Sequence, residues 1–386
     1  MEKKERLMSL DALRGADMLC IMGVSEAVVA LCGIFGMPDC WLAMQMQHVA
    51  WHGFRHHDTI FPLFLFLAGV AWPFSFAGQV ARGRSQAAIL RKVVVRMLIL
   101  VFLGFATTRF FAFDFGKVRY ASVLGHIGVG WAVAATTSMF VRGVRTRIAL
   151  IVAILVGYWA LLSFVVAPDA AAIVASSDPA IASKVASYSQ YGTDGFSFVG
   201  NMVGWFDRRF LPGSLYEIVF DPEGILSAVS AVATALMGVL AGELLRRTDV
   251  SGSRKTALLL ASAAVCAAIC AAWTPWCPVN KKLWTPTFVL LSGAYSLAML
   301  ALFYWIVDVK KWRSWTFPFR VVGMNALTIY LMMRVVGFRS MSKFFFSGVA
   351  SLGDASWSAL VLSLGHALIG WLVLYFLYRK GTFFRV

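Results

Sequence analysis

Long apolar runs separated by short polar stretches recur along the whole chain of 386 residues. Each run is about 20 residues long, the length that an α-helix needs to cross roughly 30 Å of bilayer hydrocarbon. Strict alternation of apolar and polar residues, the pattern of a membrane β-barrel, is absent from these runs. The pattern therefore predicts an all-α, polytopic membrane helix bundle with ten spans, or eleven. We place ten spans at residues 15–35, 57–77, 90–110, 122–141, 147–167, 225–245, 256–274, 285–307, 320–338 and 357–378.

Composition agrees with a membrane protein that forms a single domain over residues 1–386. Hydrophobic residues make up 60% of the chain and charged residues 14%, whereas a soluble domain has about 25% charged residues. The N-terminal "MEKKER" leads into the first apolar run without a small-residue cleavage site, so we expect that run to stay as a helix. One long polar segment, residues 168–224, contains several aromatics, and we expect it to fold along the membrane surface.

The basic residues predict the orientation of the spans. The formal net charge is +16, and most of the 35 lysines and arginines lie in the two termini and in alternate loops. Because loops rich in Lys and Arg stay on the cytoplasmic side, both termini are predicted to be cytoplasmic. Residues 168–224 then form an extracytoplasmic loop. The charge is explained by topology and by contact with the lipid bilayer, and we expect no nucleic-acid partner.

A histidine-rich stretch precedes the second span on the predicted outer side. It reads "HVAWHGFRHHD" and contains His48, His52, His56, His57 and Asp58. Two spacings of four residues would suit Zn²⁺ on a helix, but no Glu lies between the spaced pairs as in a zinc hydrolase motif. Another interpretation is a solvated segment at the membrane interface that takes no part in catalysis. The interpretation we favour is a catalytic base, because imidazole titrates near neutral pH.

Other ionisable or amide side chains lie within predicted spans or at their entrances, where they are costly and often functional. Arg96 is early in the third span, but it could simply extend to the cytoplasmic interface. Asp221 and Glu223, in "FDPEGIL", could cap the sixth span instead of doing chemistry. Asn325, in "GMNALTIYL", could be a hydrogen-bonding contact between helices.

Several motifs resemble one known family in the same order along nearly the whole chain. They are "RLMSLDALRGADML", "HVAWHGFRHHDTIFP", "VLGHIGVGW", "FDPEGIL", "NKKLW" and "FPFRVVGMNALTIYL". Together they resemble the transmembrane acetyltransferase family of heparan-α-glucosaminide N-acetyltransferase, and most closely its bacterial NagX-like (DUF5009) branch. "LDALRG" is also similar to the acyltransferase-3 O-acetylases, but the histidine that those enzymes carry beyond the Arg is missing here.

The resemblance implies an acetyl-CoA-dependent N-acetyltransferase. Acetyl-CoA would come from the cytoplasm, and the acceptor would be a glucosamine-type amino sugar or glycan end on the outer side. The family's essential histidine falls on His48, and the aspartate before its Phe-Pro falls on Asp58. His48 would act as a base or as a transient acetyl carrier, and the sequence does not choose between these routes.

The remaining site residues follow from the same resemblance. Cationic side chains would hold the CoA phosphates, and polar and aromatic groups would hold the thioester and the sugar. His126 stands where the family often has Arg. The expected cofactor-binding residues are Arg14, Arg96, His126 and Asn325, and the expected substrate-binding residues are Trp51, Glu223, Lys281 and Trp284.

Two other functions stay open at this point. An amino-sugar transporter, for example for N-acetylglucosamine, would explain charged side chains in the spans. A metal-dependent membrane hydrolase would explain the histidines, although the resemblance implies that no metal is needed. The resemblance also implies a multi-pass protein of the bacterial inner membrane and leaves a homodimer open as its assembly.

Overall fold

The computed structural model describes residues 7–108 and 110–384, and within these ranges it contains helices and no β-strand. This confirms the predicted all-α membrane bundle. Eight helices are long and apolar enough to cross a membrane. They are α1 (Met8–Ile34), α2 (His56–Val80), α4 (Val123–Phe140), α5 (Val144–Phe164), α6 (Ile225–Arg246), α7 (Gly252–Trp273), α8 (Pro286–Val309) and α11 (Ala355–Arg379).

The predicted third span is also a helix, α3, which runs over Gln86–Ala106. Its basic residues Arg91, Lys92 and Arg96 make it less apolar than the eight helices above. Ser85 caps its first turn, because the Ser85 hydroxyl accepts a hydrogen bond from the Ala88 amide at 3.2 Å. Such caps satisfy amide groups that have no partner within the helix.

The ninth crossing differs from the predicted span 320–338. A short helix, Phe317–Gly323, ends at Met324, and two further helices follow, α9 (Ala326–Val335) and α10 (Phe338–Ala350). Asn325 has φ −125° and ψ 29°, so the chain cannot continue as one helix through it. The segment 320–338 is apolar, as predicted, but it does not form a single helix, so that part of the prediction was wrong.

Helix α10 lies antiparallel to the first half of α11. The Ser342 hydroxyl donates a hydrogen bond to the Leu362 carbonyl at 2.7 Å, and the Phe338 ring lies 6.3 Å from the His366 ring. Since His366 is near the middle of α11, the break between α9 and α10 is near the middle of the bundle. The axis of α9 therefore need not be parallel to that of α10.

Small residues let α2 and α6 approach closely. A side chain at Gly238 would come within 2.1 Å of the Phe66 carbonyl oxygen, and one at Gly69 within 2.2 Å of the Ala235 oxygen. Close backbone approach at glycines is a common way to pack helices in membranes. This contact fixes α2, the helix that begins at the histidine-rich stretch, against the centre of the bundle.

The long polar segment 168–224 is folded. It contains three helices, Ala170–Val174, Pro179–Ser187 and Met202–Phe210. Phe198 and Phe220 from this segment pack against the Trp51 ring, with ring centroids 5.7 and 5.6 Å away. The aromatic residues noted in the sequence thus hold the segment over the stretch that contains the histidines.

Candidate functional site

A cavity of about 800 Å³ runs along one side of α2. Asp58, near the start of this helix, and Ser75, near its end, both line the cavity. At 1.5 Å of rise per residue the two are about 25 Å apart along the helix. We call the end of the bundle that holds Asp58 the outer end, after the predicted orientation, and the opposite end the inner end.

His48 and Asp58 form a closely bonded pair at the outer end of the cavity. His48 Nδ1 lies 2.6 Å from Asp58 Oδ1. The carboxyl group of Asp58 is almost inaccessible, with 1% of the side chain exposed, whereas 55% of the His48 side chain is exposed. Because a carboxylate only accepts hydrogen bonds, Nδ1 carries the proton and Nε2 is left as a base.

The main chain fixes the direction of Asp58. Its Oδ2 atom accepts hydrogen bonds from the amides of Val49 at 3.4 Å and Arg55 at 3.3 Å. The Arg55 guanidinium donates in turn to the His48 carbonyl at 3.1 Å. The loop between α1 and α2 therefore closes on the carboxylate, and the imidazole is held in one orientation.

Lys281 brings a positive charge to this pair. Its Nζ atom lies 3.4 Å from Asp58 Oδ1 and 3.3 Å from His48 Nδ1. Burial lowers the pKa of Lys281, while the nearby Asp58 carboxylate opposes this shift. Since Nδ1 is protonated, the ammonium donates to the carboxylate rather than to the ring, which leaves its other hydrogens for the cavity.

Each of the other three histidines of this stretch has a hydrogen-bonding partner of its own, and the His57 ring also packs against the His48 ring, with ring centroids 4.5 Å apart. His52 Nδ1 lies 3.3 Å from Asn280 Nδ2, His56 Nδ1 lies 3.0 Å from the Tyr295 hydroxyl, and His57 Nδ1 lies 3.2 Å from the Ser25 hydroxyl. Within residues 7–108 and 110–384, no three His, Cys, Asp or Glu side chains are grouped so that they could hold a metal ion.

Two guanidinium groups line the cavity further in. Arg14 donates to the Leu67 carbonyl at 3.1 Å and lies 3.8 Å from an oxygen of Asp11. Leu67 is nine residues beyond Asp58 on α2, or about 13 Å of helix rise. Arg96 lies 4.4 Å above the Trp131 ring. Since both side chains line one cavity, they form a cationic region inward of His48.

Arg119 holds two carboxyl groups on the outer wall. It donates to Asp221 at 2.7 and 2.6 Å and forms an ion pair with Glu223. Burial raises the pKa of Glu223, and the charge of Arg119 opposes that shift. Glu223, an expected substrate-binding residue, lines the cavity, whereas Asp221 is fully buried.

Two predicted site residues have structural contacts instead. Trp51 is fully buried, and its indole N–H donates to the Phe196 carbonyl at 3.0 Å. Asn325 donates to the Thr382 carbonyl at 3.2 Å. Neither side chain lines the cavity. Trp51 anchors the outer segment and Asn325 joins α9 to the C-terminal end of α11, so their predicted ligand contacts are not supported.

His126 does not line the cavity either, although it lies directly behind the cavity wall. It is buried, and its ring lies 5.1 Å from the Phe61 ring and 4.9 Å from the Trp284 ring. It is one turn into α4 from the outer end, so a contact with phosphates supplied from the inner end does not fit. Trp284, in contrast, lines the cavity beside Lys281.

Comparison with known proteins gives two curated relatives. Heparan-alpha-glucosaminide N-acetyltransferase of Homo sapiens is 26% identical over 423 aligned residues, and the protein of the same name from Mus musculus is 24% identical over 426. The chain is a homologue of these acetyltransferases. The alignments cover 99% of this chain but 60% of either relative, so the chain spans less than two thirds of their length. No family model matches it.

The family resemblance is thereby confirmed, whereas assignment to the NagX-like branch stays a prediction. In this acetyltransferase homologue, sequence reasoning missed a set of cavity-lining residues at the outer end. Lys282 donates to Glu217 at 2.6 Å and to the Tyr188 hydroxyl at 2.9 Å, and Tyr216 lies beneath Arg119. No local sequence signal points to these residues, because Arg119 and its partner Asp221 are 102 residues apart and meet only in the fold.

Proposed function

We propose that this protein transfers an acetyl group from acetyl-CoA to the amine of a glucosamine-type amino sugar across a membrane. One observation carries the proposal. A single cavity joins two guanidinium groups, on Arg14 and Arg96, to an imidazole–carboxylate pair nearer the outer end. The homologues named N-acetyltransferases support the reaction, and the multi-pass helical bundle supports its location in a membrane.

The cavity suits the donor. Its volume of about 800 Å³ lies within the usual range for ligand sites, roughly 300–1,000 Å³. Phosphates of CoA would lie against Arg14 and Arg96, because guanidinium groups bind phosphate oxygens in paired hydrogen bonds. The pantetheine arm of CoA is long enough to cover the rise of about 13 Å from Leu67 to Asp58. The thioester would then reach His48.

His48 Nε2 would take a proton from the sugar amine as the nitrogen attacks the thioester carbonyl. The C–N bond forms, the C–S bond breaks, and the same proton then passes to the departing sulfur, so atoms and charge balance. Asp58 is the positioning residue, since it holds Nδ1–H and stabilises the imidazolium. In the second route Nε2 attacks the thioester carbonyl and CoA leaves as the thiolate; the amine then displaces Nε2 from the acetyl group, and the amine proton passes to the thiolate. Both routes require the same pair.

Lys281 would stabilise the negative charge that develops on the carbonyl oxygen. Its ammonium lines the cavity and lies 3.3 Å from His48 Nδ1, on the same ring as the reacting Nε2, and a donor fixed in advance lowers the energy of such an oxyanion. Asn325, an expected cofactor-binding residue, does not line the cavity, so Lys281 is the residue proposed for this role.

The test is an assay on purified protein with labelled acetyl-CoA and glucosamine. We expect wild type to form N-acetylglucosamine, His48→Ala to abolish this, and the matched variant His52→Ala to keep most of it. His52 contacts Asn280 and not Asp58, so its loss leaves the pair intact. A wild type that neither binds CoA nor makes product, yet moves N-acetylglucosamine into liposomes, would replace this proposal with the transporter.

A further inference from the structure

Tyr216 combines high exposure with a fixed position on the wall of the cavity. The residue is 62% exposed, yet it lines the same cavity as His48. Its amide donates to Asp221 Oδ2 at 3.1 Å. Its ring lies under the Arg119 guanidinium, with the guanidinium carbon 4.6 Å from the ring centroid. The backbone and one ring face are therefore both held by the Arg119–Asp221 pair.

The position of Tyr216 is well supported, because two outer segments that are far apart in sequence are hydrogen-bonded to each other near this residue. The Ser214 amide donates to the Val118 carbonyl at 3.0 Å, and the Ser214 hydroxyl donates to the Lys117 carbonyl at 3.0 Å. Asp221 is fully buried and accepts both hydrogen bonds of Arg119. A ring that is ordered before a ligand arrives loses little entropy on binding.

The carboxyl group of Glu223, which shares Arg119 with the Tyr216 ring, has unused hydrogen-bonding capacity. Glu223 lines the cavity, and Arg119 occupies its Oε2 atom. Among the described residues, no donor reaches Oε1 of this carboxyl group. An aromatic face next to a free carboxyl oxygen is complementary to a sugar, which offers apolar C–H groups on one face and hydroxyl or ammonium groups at its edge.

We propose that Tyr216 is the platform on which the pyranose ring of the acceptor stacks, with Glu223 Oε1 accepting a hydrogen bond from a hydroxyl or ammonium group of the same sugar. This rests on the function proposed above and names the acceptor subsite within it. The ligand class is a pyranose amino sugar with an unhindered C–H face. The subsite lies on the outer wall of the cavity, whereas Arg14 and Arg96, the residues proposed to bind the CoA phosphates, lie inward of His48.

A competing explanation is that Tyr216 only anchors the protein at the membrane–water interface, where tyrosines are common. The two explanations differ in what the ring does for the reaction. An interfacial anchor would leave the affinity for acceptor unchanged when the ring is removed, whereas a platform would not.

The test uses the full-length chain in detergent, with glucosamine and labelled acetyl-CoA. We expect Tyr216→Ala and Tyr216→Leu to raise the KM for glucosamine about tenfold and to leave the KM for acetyl-CoA within about twofold. Tyr216→Phe keeps the aromatic face and should behave like wild type. Trp276→Ala is the matched control, because Trp276 is 66% exposed in another outer loop and does not line the cavity.

The outcomes distinguish a failure of the Tyr216 platform from a failure of the proposed acetyltransferase function. If wild type is active and Tyr216→Leu has an unchanged KM for glucosamine, the platform is overturned while the acetyltransferase stands. If wild type neither acetylates glucosamine nor binds acetyl-CoA, the proposed function fails and the platform fails with it. A selective rise in the glucosamine KM, shared by the Ala and Leu variants and absent from the Phe variant, supports the platform.

Discussion

At the scale of single residues, the position of the proton on the His48 ring depends on the groups that contact this residue. An isolated imidazole carries its proton on either ring nitrogen, but the buried Asp58 carboxylate, 2.6 Å from Nδ1, selects one tautomer. The two main-chain amides on the other carboxyl oxygen prevent Asp58 from rotating away. The basic nitrogen is therefore Nε2, on the side of the ring away from the carboxylate.

The variant Asp58→Asn tests this arrangement. The side-chain amide introduced by this substitution would donate to Nδ1, so the proton would move to Nε2 and the base would be lost. We expect kcat to fall by roughly two to four orders of magnitude, with the KM for acetyl-CoA little changed. Steady-state kinetics of Asp58→Asn, His48→Ala and the double variant check it. The double variant should be no worse than His48→Ala, because the residues act as a unit.

The His48–Asp58 pair could be predicted from the sequence because its two residues are close together along the chain. His48 and Asp58 are ten residues apart, next to an apolar run, and they match motifs of the resemblance. Arg119 and Asp221 are 102 residues apart, and nothing in the pattern near either residue indicates the other. His126 looked like a phosphate ligand by motif position alone, but packing between Phe61 and Trp284 decided its surroundings.

At the scale of elements, the outer segment 168–224 is attached to the bundle through Glu217. Lys184 and Lys282 each donate to its carboxylate at 2.6 Å. Burial alone would raise the pKa of Glu217, but these two hydrogen bonds outweigh it and lower the pKa. The ion pairs join a helix of the segment, Pro179–Ser187, to the loop that carries Lys281.

The stability that Glu217 contributes should depend on pH. A carboxyl group whose pKa is lower in the folded state stabilises it above the unfolded pKa, here 4.5, and loses this effect as pH falls through the folded value. We expect wild type to have a higher Tm than Glu217→Gln at pH 7, and the difference to shrink below pH 4.5. Thermal unfolding followed by tryptophan fluorescence, from neutral pH down to about one unit below that value, checks it. A difference that stays constant with pH would contradict the assignment.

Helix positions were predictable from apolar runs, but helix continuity was not. The run at 320–338 is apolar enough for one span, and its bounds were drawn on that basis. Asn325 and the Val336–Gly337 junction divide the region into short helices. The break matters for the site, because α9 contributes Leu327, Tyr330 and Arg334 to the cavity wall.

At the scale of the whole molecule, the proposed function requires one cavity to link groups near opposite ends of the bundle. The Arg14 and Arg96 guanidinium groups lie inward of His48, while Tyr216 and Glu223 lie on the outer wall. The charge pattern predicts the same direction, since the basic loops lie at the inner end. Composition and spacing predict the bundle, but the joining of these two regions into one cavity depends on tertiary packing.

The most direct test of this account is the sidedness of the reaction in sealed proteoliposomes of known orientation. Labelled acetyl-CoA is supplied only on the side of the C-terminus, and glucosamine only on the opposite side, with protease access to the C-terminus as the measure of orientation. The account predicts N-acetylglucosamine on the side opposite to the donor and no product when both substrates are on the outer side. Product formed with both substrates on one side, and none across the membrane, would contradict it.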